Sequence, residues 1–166
     1  MRRIIVLMLA SGTLALLTSG FAAQASAATT VPVSMSFTEP INQDINSGCP
    51  ALGSPNGGLC GSGTFLPYGH ATEMIVFSAG CGGACDVRTV TVASGSIVMD
   101  EQFSNPQCPG TCKYPSPGRQ GSGTLTDVIV SGTGIFAGAS GNLSGTVKGS
   151  GLQSQIKLSG SITLAT

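Results

Sequence analysis

Along most of this chain every second residue is apolar, and a period of two is the spacing of side chains on one face of a β-strand. Val31, Val33, Met35 and Phe37 share a face, with Ser34, Ser36 and Thr38 opposite. At the other end, Ile156, Leu158, Gly160, Ile162 and Leu164 alternate with Gln155, Lys157, Ser159, Ser161 and Thr163. Between them, Glu73, Ile75 and Phe77 oppose Met74, Val76 and Ser78, while Val90 and Val92 lie on a face with Arg88. Ile97, Met99, Glu101 and Phe103 form another stripe, and Leu125, Asp127 and Ile129 oppose Val128 and Val130. Leu143, Gly145, Val147 and Gly149 make a weaker one. No window holds a helical period.

With a shorter candidate at 63–68, these stripes predict eight strands, near 31–38, 63–68, 70–79, 86–93, 95–103, 122–131, 142–149 and 153–164. Ala93-Ser-Gly-Ser96 reads as a tight hairpin, and residues 39–60 and the proline-rich 104–121 read as long loops. Eight consecutive antiparallel strands have two main solutions, a closed barrel or a two-sheet sandwich. The glycines within the last strands (Gly145, Gly149, Gly151, Gly160) suit the coiling of a small barrel, although sandwich-edge bulges use glycine too. The expected fold is all-β, an eight-stranded antiparallel β-barrel with disulfide-stapled loops; the sandwich is its rival.

The N-terminus sets the expected compartment. Arg2 and Arg3 precede an apolar run from Ile4 to Leu17, and Ala23-Gln-Ala25 and Ala25-Ser-Ala27 both meet the small-x-small cleavage rule. Residues 1–27 therefore read as a signal peptide and 28–166 as a single secreted, extracellular barrel domain. The rival, a retained anchor, needs roughly 20 apolar residues, and the run is shorter; no other stretch approaches that length, so no membrane association is expected after cleavage. Removing residues 1–27 of the 166 leaves 139, enough for one domain with a real core. Five basic residues then face seven acidic ones, a net charge near −2, which argues against nucleic acid or an anionic membrane as partner.

All six cysteines, Cys49, Cys60, Cys81, Cys85, Cys108 and Cys112, lie in the exported part, where an even count reads as a disulfide framework. Spacing suggests sequential pairs, 49 with 60, 81 with 85 and 108 with 112; the main competitor links the 81/85 loop to the 108/112 loop. Zinc is allowed by the two short-spaced pairs but disfavoured by an oxidising compartment. A redox Cys-x-x-Cys motif is absent, since both close pairs have three intervening residues. No metal and no cofactor is expected.

One segment carries a family likeness. Asp127–Val147 contains Gly132-Thr133-Gly134, Phe136, Ala137-Gly138-Ala139 and Gly141, and it resembles the strand, Gly-Thr-Gly-x-Phe turn and following strand of dirigent and allene-oxide-cyclase-like barrels. A looser echo is Gly61-Ser-Gly-Thr-Phe-Leu-Pro-Tyr-Gly69, similar to a stretch in secreted bacterial relatives. The resemblance implies an eight-stranded barrel with a ligand-sized interior, oligomeric in plant members, so a homo-oligomer is in scope. In catalytic members, acidic and other polar residues inside the barrel act; no motif carries those positions over to this chain. Gly132-Thr-Gly134-Ile-Phe-Ala137 also satisfies a dinucleotide-binding pattern, but no helical period follows, and the glycines read as a turn with positive φ.

The remaining candidates are few. His70, the single histidine, reads as a solvent-facing residue at a strand start rather than a general base. Asn142-Leu-Ser144 matches a glycosylation sequon, relevant only in a glycosylating host. Glu73, Arg88, Glu101 and Asp127 each sit on an apolar stripe. They either point into the barrel as a polar site or guard strand edges against pairing. The expected function is a non-catalytic secreted barrel that binds a small apolar molecule or contacts a partner. Two alternatives stand beside it: a dirigent- or cyclase-like protein that steers a reactive small molecule, and an exported protease inhibitor presenting the Cys108–Cys112 loop.

Overall fold

The alternating stripes become eight strands, β1 (Thr29–Pro40), β2 (Leu59–Leu66), β3 (Gly69–Phe77), β4 (Cys85–Val92), β5 (Gly95–Ser104), β6 (Gln120–Gly134), β7 (Ser140–Ser150) and β8 (Gln153–Leu164). The computed structural model describes residues 27–40, 58–77, 84–105, 120–150 and 153–165. Each strand pairs antiparallel with the next, and β1 closes on β8 through an unbroken register from Thr29↔Leu164 to Pro40↔Gln153. That closure decides for the barrel over the sandwich, and it removes every sheet edge. One bulge, between Val98 and Met99 in the β5–β6 pair, interrupts the ladder.

The inward faces are the predicted ones. Val33, Met35, Phe37, Ile75, Val90, Val92, Ile97, Met99, Phe103, Leu125, Ile129, Leu143, Val147, Ile156, Leu158 and Ile162 are all buried and form one core. Val128 and Val130 point out and are about half exposed, as the Leu125/Asp127/Ile129 stripe requires. Close strand approach needs glycine at particular points. A Cβ on Gly63 would meet the carbonyl carbon of Ser36 at 2.8 Å and Phe37 Cα at 2.9 Å across the β1–β2 pair.

The two ends of the barrel differ. At one, short connections at 67–68, 93–94 and 135–139 join the strands, and an aromatic cluster caps the core. The Phe65 and Phe136 rings stack at 5.5 Å, and Tyr68 meets each edge-on at 4.8 Å. The β6–β7 turn uses positive φ at Gly134 and Gly138, which is what the resembling segment's glycines provide. No helix follows Gly134, so the dinucleotide pattern lacks the element it depends on.

The opposite end is where β1, β3, β5 and β7 finish and β2, β4, β6 and β8 begin. The segments joining them there, 41–57, 78–83, 106–119 and 151–152, lie outside the described residues, and so do Cys49, Cys81, Cys108 and Cys112. Residues 1–26 of the expected signal peptide lie outside them as well. Cys60 and Cys85 stand at this end, near the starts of β2 and β4, and neither is a free thiol. The expected loops at 39–60 and 104–121 prove shorter: Glu39, Pro40, Leu59, Cys60, Ser104, Gln120 and Gly121 belong to strands. Pairing with β8 carries β1 past the point where its apolar residues stop.

Candidate functional site

The charges that interrupted the apolar stripes meet inside the barrel, near the end opposite the aromatic cap. Arg88 on β4 is fully buried, as is Glu73 on β3, Glu101 on β5 and Asp127 on β6. All four residues singled out in the sequence are therefore brought together, and the edge-guarding alternative falls because a closed barrel has no edge. Strand alternation places each on the inward face, and register sets their level: Glu101 is the cross-strand partner of both Asp86 and Asp127, and Ile75 that of Arg88.

Arg88 holds the cluster together. Its Nε donates to Glu101 Oε2 at 2.7 Å and its Nη2 to Glu101 Oε1 at 2.9 Å, a two-point clamp on one carboxylate. Its Nη1 donates to Glu73 Oε2, and Asp127 Oδ1 lies 3.7 Å from its Nε. Gly61, opposite Glu73 on β2, makes the arrangement possible: a Cβ there would come within 2.8 Å of Glu73 Cγ and collide with its carboxyl group.

Two further acids escaped the sequence reading. Glu39, closed to solvent on β1, pairs in register with the buried Ser154 of β8, and Asp86 on β4 is 4 % exposed. The signal for both was present, since Glu39 continues the Val33, Met35, Phe37 period by one step and Asp86 precedes Arg88 by two. Five acids thus face one guanidinium in a space that excludes water.

Such a cluster does not sustain five negative charges, because desolvating a carboxylate costs several kcal/mol unless a partner offsets it. Protons take the place of missing cations. Burial, followed by the charge of Glu101, pushes Asp127 up to about 9 from 3.8 and Asp86 up to about 8 from 3.8. Burial pushes Glu73 up to about 7 from 4.5, against the pull of Arg88. Glu39 is held well above its ordinary value by burial and by the charge of Glu73. Near neutral pH the site is thus an Arg88-centred ion pair surrounded by carboxylic acids.

Several of these groups lack partners. Both oxygens of Glu39, Oε1 of Glu73 and Oδ1 of Asp86 are buried without a hydrogen bond, whereas Asp86 and Asp127 each share one with the Glu101 carboxyl. Buried polar atoms are ordinarily paired, so four orphaned oxygens in one cluster mark a place where something else belongs. No group of three or more His, Cys, Asp or Glu among the described residues has the arrangement to hold a metal ion. His70 is exposed on β3, away from the cluster's inward face, and Asn142 is exposed on the outside of β7.

Comparison of the chain with known protein families, characterised proteins and solved structures finds no match.

Proposed function

We propose that this is a secreted barrel that takes up a small molecule at the acid end of its interior. The observation that carries the reading is the set of buried, unpaired oxygens on Glu39, Glu73 and Asp86. A cluster kept only for stability gains little from this chemistry, since well-packed apolar residues of similar volume are often neutral or stabilising in its place. Acids with perturbed proton affinity in an enclosed site are what ligand and reaction sites look like. The export signal and the likeness of residues 127–147 to dirigent and allene-oxide-cyclase-like barrels point the same way, since that likeness implies a ligand-sized interior.

The test is native mass spectrometry of the protein purified from culture medium, with a denatured spectrum of the same sample. A retained molecule that is lost in an Asp127→Asn, Glu39→Gln double variant supports uptake at this site. Retention unaffected by the double variant places the site elsewhere. The denatured mass also locates signal cleavage and, at about 2 Da per bridge, counts disulfides.

A second reading has its own observation. Glu73 near 7 and Asp86 near 8 hold protons close to working pH, which is the condition for general acid catalysis on a reactive intermediate. A molecule recovered as an isomer of the one supplied supports steering; recovery unchanged supports uptake alone.

A further inference from the structure

We infer that the molecule taken up at the acid end is a cation, a primary ammonium or guanidinium carried on an apolar body. This rests on the uptake reading above and goes on to name the ligand class. Glu39, Glu73, Asp86, Glu101 and Asp127 supply five carboxyl groups to the enclosed space, and Arg88 supplies one guanidinium. That guanidinium already spends Nε and Nη2 on Glu101 and Nη1 on Glu73. The other described cations near this end, Lys148 and Lys157, face solvent on the outside. An anionic ligand would hold every one of these acids in its protonated form and find the guanidinium already engaged, whereas a cation lets one of them ionise.

The hydrogen-bonding inventory points the same way. An ammonium brings three donors and no acceptor, and the orphaned atoms are four carboxyl oxygens, two of them on Glu39. Glu39 is the clearest of them: it is closed to solvent, has no partner on either oxygen, and lies close enough to Glu73, Arg88, Glu101 and Asp86 to interact with their charges. The charged groups that act on it from neighbouring strands are Glu73 of β3, Asp86 and Arg88 of β4 and Glu101 of β5, and its register partner is Ser154 of β8. None of them offers a second cation. One inward step along the strands from Glu39, Glu73, Glu101 and Asp127 stand the buried apolar residues Phe37, Ile75, Phe103 and Leu125, which is why the ligand class carries an apolar body.

In the empty site, protons neutralise these acids, so a cation must displace one. Ammonium binding ionises a carboxylic acid and releases its proton to solvent, which balances charge within the cluster. The signature is a release of about one proton per ligand near neutral pH, with affinity rising as pH rises toward 8.

The experiment is isothermal titration calorimetry on the secreted, oxidised full chain with 2-phenylethylamine, 2-phenylethanol and phenylacetate, run in two buffers of different ionisation enthalpy. The amine is expected to bind roughly tenfold or more tightly than the alcohol, with proton release, and phenylacetate most weakly. Glu39→Gln should weaken the amine about tenfold and leave the alcohol unchanged, with the thermal melt reporting that the variant is folded. Equal or tighter binding of the alcohol or of phenylacetate overturns the cation while leaving uptake standing. Amine binding without proton release, or unaffected by Glu39→Gln, also overturns it. Failure of all three compounds to bind the folded protein overturns the uptake reading together with this one.

Discussion

Glu101 and Asp127 stand directly opposite each other in the β5–β6 pair, both turned into the barrel and both closed to solvent. Like charges facing across a ladder repel, and here no water screens them. The conflict is resolved unequally. Glu101 takes the two-point clamp of Arg88, while Asp127, with Arg88 Nε no nearer than 3.7 Å, is pushed up to about 9 and stays protonated. Two acids in one register pair thus take different forms because a single guanidinium chooses between them.

Stability should fall as pH rises. Glu73, Asp86 and Asp127 bind protons more tightly folded, at about 7, 8 and 9, than at their ordinary values of 4.5, 3.8 and 3.8. The unfolded chain therefore holds fewer protons than the native one across that interval. The stabilisation is complete below the ordinary carboxylate range and is lost progressively as pH rises through the folded values, with a slope of up to about 1.4 kcal/mol per pH unit for each such group. Thermal melts at about pH 5, 7 and 9 should show a steadily decreasing Tm. A Tm that rises over that range would contradict protonated acids in the core.

Asp127→Asn replaces a protonated acid with a neutral group of the same shape. The variant should lose less Tm than the parent between about pH 7 and 9, because unfolding no longer releases a proton from that position. Below the ordinary carboxylate range, at about pH 3, the two proteins should differ little. Parallel Tm curves for variant and parent would show that Asp127 does not hold a proton in the folded state.

Removing the guanidinium should be severe. Arg88→Met leaves Glu101 and Glu73 buried without their shared cation, which costs about 3–5 kcal/mol near neutral pH. Chemical denaturation should register that loss and show it shrinking at about pH 4, where protons neutralise the orphaned groups. Arg88→Lys should recover only part of it, since a single ammonium cannot reproduce the clamp on Glu101. Full recovery with lysine would mean that charge alone, and not the planar fork, holds the cluster.

Gly63→Ala tests the barrel wall independently of the acids. Its Cβ would press on the Ser36 and Phe37 backbone rather than on a movable side chain, so β1 and β2 must separate. A loss of about 1–3 kcal/mol is expected, unchanged between about pH 5 and 9 because no titrating group is involved. Amide hydrogen exchange should quicken in β1 and β2 first. Loss confined to other strands would argue against the β1–β2 register.

Much of this was legible in the residues. The period of two is imposed by backbone geometry within each strand, so the inward stripes, and with them the positions of Glu73, Arg88, Glu101 and Asp127, could be read locally. Strand ends were less legible. Glu39 looked like the start of a loop because it is polar and precedes a proline, and only its pairing with Ser154 keeps it in β1. Asp86 was hidden next to Cys85, at a strand start where too few residues remain for a pattern to show.

By itself the sequence determined the strand class, the inward faces and the placement of buried charge, because alternation acts between neighbouring residues. Tertiary structure alone decided that β1 closes on β8 and that five acids from five strands converge on Arg88. Closure and register depend on partners more than a hundred positions apart, such as Phe37 and Ile156, and no local pattern records at what height along the barrel each inward residue will stand.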